Sequence, residues 1–249
     1  MRQAPRPKLR PIRAPEPGRL LREAPALTEL PRLLLRAPNL ATQPRGRGEH
    51  VLVLPGYGAS DGSTGVLRSY LRLLGYRPTG WELGRNRGDV AALVPRVIER
   101  AEALVRAERG PVALVGWSLG GVLARETARE RPDLARGVIT LGSPVVGGPK
   151  YTAVASAYRR RGVDLDAIER EVEERNRRPI EAPVLAIYSR SDAVVAWQAC
   201  IDRSSRNVEH VEVETTHVGL GFSPEVFELV ARRLAALANG VEWRARDSA

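Results

Sequence analysis

The feature that most constrains the fold is a strand-like apolar run that ends in a serine held between glycines. Residues 111–117, PVALVGW, lead into Ser118 and then into LGGVLARE, whose apolar positions repeat at helical spacing. A tight turn from a buried strand into a helix leaves little room for side chains, which explains Gly116 and Gly120. The stretch therefore predicts a strand, a sharp turn and a helix, with the serine hydroxyl exposed at the turn.

From residue 50 onward, short apolar runs alternate with longer segments of helical pattern. The runs cover residues 51–56, 80–83, 111–117, 137–144, 184–192 and 208–217. This alternation is typical of β-α-β units, which build a mainly parallel sheet with helices on both of its faces. We therefore predict an α/β fold with about six strands.

Two helices have recognisable starts. Asp89 precedes an apolar pattern over residues 90–105, where it would be the N-cap, although Pro95 predicts a kink or a later start. Residues 223–225, Ser-Pro-Glu, supply an N-cap, a proline at the first helical position and an acid in the first turn. We predict that a helix follows each of these signals.

The chain divides into three parts by composition. Residues 1–48 are rich in proline and arginine and hold at most one or two short amphipathic helices, so they predict an N-terminal arm. Residues 49–240 carry the α/β pattern, and residues 241–249 form a C-terminal tail. Residues 149–182, the cap segment, separate two predicted strands and are either a plain crossover helix or a short helical cap over a site.

Composition also limits the class of protein. No apolar run approaches the roughly 18 residues that cross a bilayer, and no signal peptide is recognisable, so we expect a soluble, cytoplasmic protein. The single cysteine, Cys200, excludes an intramolecular disulfide, and no Cys/His cluster has zinc spacing. The net charge of +10 comes from scattered arginines, which argues against nucleic-acid binding. Weak contact between the Arg-rich arm and an anionic membrane surface stays open.

The segment GWSLGG in this setting resembles the nucleophile elbow of the α/β-hydrolase superfamily, and residues 50–238 resemble its small lipase and esterase members. In that superfamily an acid and then a histidine follow the nucleophile along the chain, each after a strand. Asp192 ends the run VLAIYSRSD, and His217 ends the run VEHVEVETTH. The resemblance therefore implies a catalytic triad of Ser118, His217 and Asp192.

Few other residues compete for the roles of base and acid. The chain has three histidines, of which His50 starts a predicted strand and His210 lies inside one. Only His217 falls at the carboxyl end of a strand, where the sites of α/β proteins are built. For the acid, Asp202 lies near Asp192 and stays open as an alternative.

The same resemblance implies an oxyanion hole made of two backbone amides. One belongs to Leu119, the residue after the nucleophile, and the other to the loop after the first strand. The segment LPGYGAS, residues 54–60, fits that loop, with Tyr57 as the donor. Pro55 stands where many members of the superfamily have histidine, which leaves this backbone role intact.

The predicted reaction is hydrolysis of small carboxylic esters through an acyl-enzyme, without a metal or an organic cofactor. Apolar residues of the cap segment would contact the acyl chain. The candidate substrate-binding residues are Trp117, Tyr151, Val154 and Tyr158. A thioesterase or an acyltransferase would use the same residues, and a noncatalytic binding protein on this fold is a further alternative.

Overall fold

A six-stranded sheet forms the centre of the protein, and all neighbouring strands in it run parallel. The computed structural model describes residues 12–240. The strands are β1 (His50–Leu54), β2 (Arg77–Gly80), β3 (Val112–Trp117), β4 (Ala135–Leu141), β5 (Val184–Tyr188) and β6 (Val208–Glu212). Their order across the sheet is β2-β1-β3-β4-β5-β6. The chain therefore changes direction across the sheet between β1 and β3, and such a point opens a crevice at the carboxyl ends of the strands.

Helices cover both faces of this sheet. They are α1 (Glu29–Leu35), α2 (Ala37–Ala41), α3 (Gly65–Leu73), α4 (Val90–Glu108), α5 (Leu119–Glu130), α6 (Ala155–Arg160), α7 (Leu165–Asn176) and α8 (Pro224–Ala238). One apolar core joins the sheet to α3 and α8, and a second joins it to α4 and α5. Because the central strands are buried on both faces, they appear in the sequence as continuous apolar runs. The α/β prediction with about six parallel strands is confirmed.

Both predicted helix starts are present. The Asp89 carboxylate accepts a hydrogen bond from the Ala92 amide at 3.0 Å, and α4 begins at Val90 with Pro95 inside it. Ser223 precedes α8, with Pro224 at the first helical position, although the hydroxyl makes no capping bond within residues 12–240. The proline in α4 therefore does not delay the start of that helix.

The second strand differs from the prediction. β2 covers residues 77–80 rather than 80–83, because the amides of Trp81 and Glu82 donate to the Asp61 carboxylate at 2.9 and 3.1 Å. Glu82 also has a positive φ of 57°, which turns the chain away from the sheet. The apolar character of residues 80–83 reflects a buried turn, since Trp81 is fully buried there.

The described part of the N-terminal arm packs on the body of the protein. A 3₁₀-helix spans Pro17–Thr28 and contacts the turn at Gly219–Gly221, while α1 and α2 contact α8. The first eleven residues of the arm and the predicted C-terminal tail, residues 241–249, lie outside the described residues. The arm is therefore attached close to the loop that follows β6.

Candidate active site

Ser118 lies in the tight turn between β3 and α5. Its backbone angles, φ 54° and ψ −122°, are strained for a residue that carries a side chain. The Ser118 amide donates to the Leu141 carbonyl of β4 at 2.7 Å, and its carbonyl accepts from the Gly121 amide at 3.0 Å. The neighbouring strand and the first turn of α5 therefore hold the strained conformation.

The glycines around Ser118 are required by close packing. A Cβ atom on Gly116 would lie 2.3 Å from the backbone of Gly120, and one on Gly120 would lie 2.2 Å from the Leu54 carbonyl oxygen. Neither position has room for a side chain, because backbone atoms form the obstacle. This is the strand, turn and helix that the glycine spacing predicts.

Asp192 and His217 follow β5 and β6, and their side chains meet. Asp192 Oδ2 lies 2.6 Å from His217 Nδ1, and both residues are buried. The other carboxylate oxygen, Oδ1, accepts the amides of Val194 and Val195 at 2.8 and 2.6 Å. These bonds fix the carboxylate, and a proton on Nδ1 leaves Nε2 of the imidazole free to accept a proton.

Asp202, the alternative acid, has a different partner. Its buried carboxylate forms an ion pair with Arg125 of α5 and accepts the Ser204 amide at 2.9 Å. Burial opposes ionisation, but the charge and hydrogen bond of Arg125 outweigh it and hold the pKa of Asp202 well below its usual value. Asp202 also donates its own amide to His210 Nε2 at 2.9 Å. This cluster fastens the loop after β5 to α5.

The loop after β1 lies directly against Ser118. A Cβ atom on Gly56 would lie 3.2 Å from Ser118 Cβ and 3.9 Å from its Oγ. Tyr57 and Leu119, the predicted oxyanion donors, line the same cavity as Ser118 and His217. Backbone amides at such a position can stabilise negative charge that develops on a carbonyl oxygen.

A buried asparagine that the sequence analysis missed holds this loop in place. Asn86 is fully buried, and its side-chain amide donates to the Pro55 carbonyl at 2.9 Å. Its backbone carbonyl accepts from the Gly58 amide at 2.7 Å, and its backbone amide donates to the Ala59 carbonyl at 2.8 Å. An asparagine in a glycine-containing loop resembles an ordinary turn residue, so the sequence carried no signal for this role.

A cavity of about 400 Å³ opens at Ser118. Its walls come from the loops after β1 and β5, the first turns of α4 and α5, and the cap segment, and they are mostly apolar. The larger aliphatic and aromatic side chains in the walls are Tyr57, Val90, Trp117, Leu119, Val122, Val154, Tyr158, Ile168, Val172, Val194 and Val195. Both its size and its apolar character are typical of a site for a small molecule.

Three of the four candidate substrate-binding residues line the cavity: Trp117, Val154 and Tyr158. Burial raises the pKa of Tyr158, so its hydroxyl stays protonated at neutral pH. Tyr151 does not belong to the lining, because its hydroxyl donates to Glu169 of α7 at 2.5 Å. The expectation that Tyr151 contacts substrate does not match this placement.

Buried charged groups join the cap segment to α5, the helix that begins next to Ser118. Arg129 pairs with Glu126 at 3.2 Å within α5 and donates to the Asn176 side chain at 2.9 Å. Arg129 also donates to the Arg178 carbonyl, and Arg175 lies 3.7 Å from the Glu126 carboxylate. The cap segment is therefore held on the body close to the cavity.

Among residues 12–240, no three His, Cys, Asp or Glu side chains are grouped so that they could hold a metal ion. None of the helices in the same range combines the length and apolar character needed to cross a membrane.

A parallel sheet with a strained serine at its switch point, followed by a buried Asp–His pair after later strands, defines an α/β hydrolase. The model of the alpha/beta hydrolase family matches residues 30–246, and the chain belongs to this family. The sequence has no match among curated proteins.

Solved structures of the same fold include lipases. One of the metagenome-derived lipolytic enzymes LipS and LipT is 18% identical and has a TM-score of 0.60. The match covers 79% of this chain and 96% of the chain of that enzyme. A monoacylglycerol lipase from Paleococcus ferrophilus is 18% identical, with coverages of 78% and 97% and a TM-score of 0.56. Alpha/beta hydrolase domain-containing protein 10 from mouse is 20% identical, with coverages of 81% and 94% and a TM-score of 0.55. At these identities the likeness shows the shared fold.

Proposed function

We propose that this protein is a serine hydrolase that cleaves carboxylic esters of small molecules through an acyl-enzyme. The observation that carries the proposal is the buried Asp192–His217 pair, 2.6 Å apart, whose histidine shares one apolar cavity with the strained Ser118. Serine needs a base and an exposed position to act as a nucleophile, and a cavity shared with a carboxylate-bound histidine supports that role for Ser118. The lipolytic enzymes among the structures of the same fold support the choice of an ester substrate.

In the proposed reaction, Ser118 Oγ attacks the ester carbonyl carbon while Nε2 of His217 takes the hydroxyl proton. The tetrahedral intermediate places its oxyanion at the amides of Tyr57 and Leu119. His217 then gives the proton to the leaving alcohol, and water releases the acyl group with His217 again acting as the base. Asp192 orients the imidazole and stabilises the positive charge that it acquires.

A fluorophosphonate probe tests this proposal, because it reacts with activated serines. We expect the probe to block turnover of a p-nitrophenyl ester and to modify the peptide that contains Ser118, as read by mass spectrometry. Modification of a different residue, or none at all, would argue against the assignment. Rates on matched oxygen esters, thioesters and alcohol acceptors then separate an esterase from a thioesterase or an acyltransferase.

The cap segment should set the preferred acyl chain length, because Val154 lines the cavity. Val154→Ala removes apolar volume from the wall, so we expect a shift of kcat/KM toward longer acyl esters. The shift should be about fourfold for each methylene newly accommodated, since burial of a methylene is worth ~0.8 kcal/mol. A series of p-nitrophenyl esters from acetate to laurate measures this profile.

Val163→Ala is the matched control, because Val163 belongs to the cap segment and is absent from the residues that line the described cavity. Its profile should equal that of the wild type. Identical profiles for all three proteins, or losses that follow thermal unfolding, would place the acyl pocket elsewhere.

We further propose that the N-terminal arm touches anionic membrane surfaces, where lipid esters would be found. Several of its leucines are exposed to solvent, with Leu21, Leu34 and Leu35 at 86%, 77% and 80%. Arginines at positions 19, 22, 32 and 36 lie close to these leucines in the sequence. Leucine and arginine together suit the boundary between acyl chains and anionic head groups.

Sedimentation with vesicles of phosphatidylcholine and phosphatidylglycerol tests the arm. We expect the wild type to bind these vesicles more than pure phosphatidylcholine, and we expect a triple change of Leu21, Leu34 and Leu35 to Ser to weaken binding. Leu73→Ser, a change of an exposed leucine on α3, should bind like the wild type. Equal binding by the triple variant would contradict the proposal.

A further inference from the structure

One carboxylate of the N-terminal arm lies between the two loops that carry the acid and the base. Glu23 belongs to the 3₁₀-helix Pro17–Thr28. Its Oε1 accepts the amide of Ala193 at 2.9 Å and the amide of His217 at 3.2 Å. Its Oε2 accepts the amide of Val218 at 2.8 Å. A single side chain therefore binds three backbone amides from two separate loops.

These three amides belong to His217 itself and to the residues that directly follow Asp192 and His217. Ala193 directly follows Asp192, while the other two amides are those of His217 itself and of its neighbour. The two loops leave different strands, β5 and β6, and Oε1 bridges them. Hydrogen bonds from amides to an ionised carboxylate are stronger than those to neutral acceptors. Glu23 therefore fixes the separation of the loops from outside the cavity.

A second carboxylate of the arm anchors the same loop. The buried Glu29 accepts the Thr215 hydroxyl at 2.5 Å, two residues before His217. Arg32 donates to both oxygens of Glu29 at 3.1 Å and so holds this carboxylate in place. The family match begins at residue 30, so both carboxylates lie outside the region that the family model describes.

We infer that Glu23 is a positioning residue that holds the Asp192 and His217 loops in the geometry needed for proton transfer. The inference rests on the proposed function of Ser118, His217 and Asp192. Proton transfer depends on alignment, and a displacement of about 1 Å can cost about 100-fold in rate. Glu23 also adds a negative charge close to the base that becomes positive during the reaction.

Kinetics of Glu23→Ala and Glu23→Gln test the inference on the full chain. We expect Glu23→Ala to lower kcat by about 10- to 100-fold, with KM changed by less than about threefold, because Glu23 touches the loops and not the cavity. Glu23→Gln should recover part of the lost kcat, because the glutamine side chain keeps one acceptor oxygen. The recovery should be incomplete, because its NH₂ group faces a backbone N–H group that the carboxylate accepted. Glu16→Gln, a change of an exposed carboxylate just before the same helix, should match the wild type.

The Nδ1 proton of His217 supplies a readout that a purely structural role would not change. In ¹H NMR spectra this hydrogen-bonded proton should give a low-field signal that disappears in His217→Ala. We expect the signal in the wild type and in Glu16→Gln, and we expect it to broaden or vanish in Glu23→Ala while the protein stays folded.

The outcomes separate the two proposals. Turnover that survives in Ser118→Ala would overturn the proposed function, whatever Glu23 does. If Ser118→Ala is inactive but Glu23→Ala keeps the wild-type kcat and NMR signal, the inference about Glu23 is wrong and the proposed function stands. A loss in both Glu23 variants that equals the unfolded fraction, measured by thermal melts, would also overturn the inference.

Discussion

Replacing Ser118 with alanine should abolish ester hydrolysis and fluorophosphonate labelling and leave the protein folded. A methyl group has no lone pair with which to attack a carbonyl carbon, and loss of the serine of a Ser-His-Asp triad costs about 10⁶-fold in kcat. The backbone bonds from Ser118 to Leu141 and from Gly121 to Ser118 do not involve the hydroxyl, so the turn should persist. Burst and steady-state kinetics on a p-nitrophenyl ester, together with thermal melts, measure both effects.

Ser63→Ala is the matched control for this change. The Ser63 hydroxyl donates to the Ser60 carbonyl at 2.8 Å on the surface, and its loss should leave kcat unchanged. Near-wild-type turnover by purified Ser118→Ala would show that another group supplies the nucleophile.

The tight turn at Ser118 was predictable because its causes are local in the sequence. Gly116 and Gly120 contact each other and the start of the loop after β1, and the period of the apolar positions marks the strand and the helix. The positions of Asp192 and His217 were predictable for another reason. In a parallel sheet the carboxyl ends of all strands lie at one edge, so residues after separate strands converge there.

The contacts that the sequence did not reveal join distant parts of the chain through backbone groups. Asp61 ends β2 by binding the amide of Trp81, twenty residues further on. Glu23 binds the amide of His217, 194 residues away, yet in the sequence it is one more acid on an Arg- and Leu-rich helix. No periodicity distinguishes a glutamate that accepts backbone amides from one that faces water.

Tyr151 illustrates the same limit within the cap segment. The sequence predicts that Tyr151, like Val154 and Tyr158, contacts the substrate. In the structure Glu169 of α7 binds its hydroxyl, and burial raises the pKa of Tyr151 to about 12. The partner on another helix, rather than the position of Tyr151 in its own segment, decides where the ring points.

Asp192 and Asp202, the two candidates for the acid, should differ in their effects when each is changed to asparagine. In Asp192→Asn, the amide oxygen can keep the bonds to the amides of Val194 and Val195, which turns the NH₂ group toward His217. Nδ1 must then accept a hydrogen bond, so the proton moves to Nε2 and the imidazole no longer acts as a base toward Ser118. We expect kcat to fall by about 10⁴-fold with the protein folded.

Asp202→Asn should have the opposite profile. It leaves the Arg125 guanidinium buried without its ionic partner, which typically costs about 3–5 kcal/mol in the free energy of unfolding. Because the pKa of Asp202 is lower in the folded than in the unfolded protein, the carboxylate stabilises the fold above its unfolded pKa of about 3.9. This contribution is lost as the pH falls below that value, so the stability difference between wild type and Asp202→Asn should shrink in acid.

Urea unfolding at neutral and acidic pH and steady-state kinetics under folding conditions measure both variants side by side. We expect Asp192→Asn to lose kcat and keep most of its stability, and Asp202→Asn to lose stability and keep kcat. The contrast follows from the partners: Asp192 faces an imidazole that must change its charge during the reaction, whereas Asp202 faces a guanidinium that stays charged. A large loss of kcat in folded Asp202→Asn with an active Asp192→Asn would exchange the two roles, and equal small losses in both would place the acid on another residue.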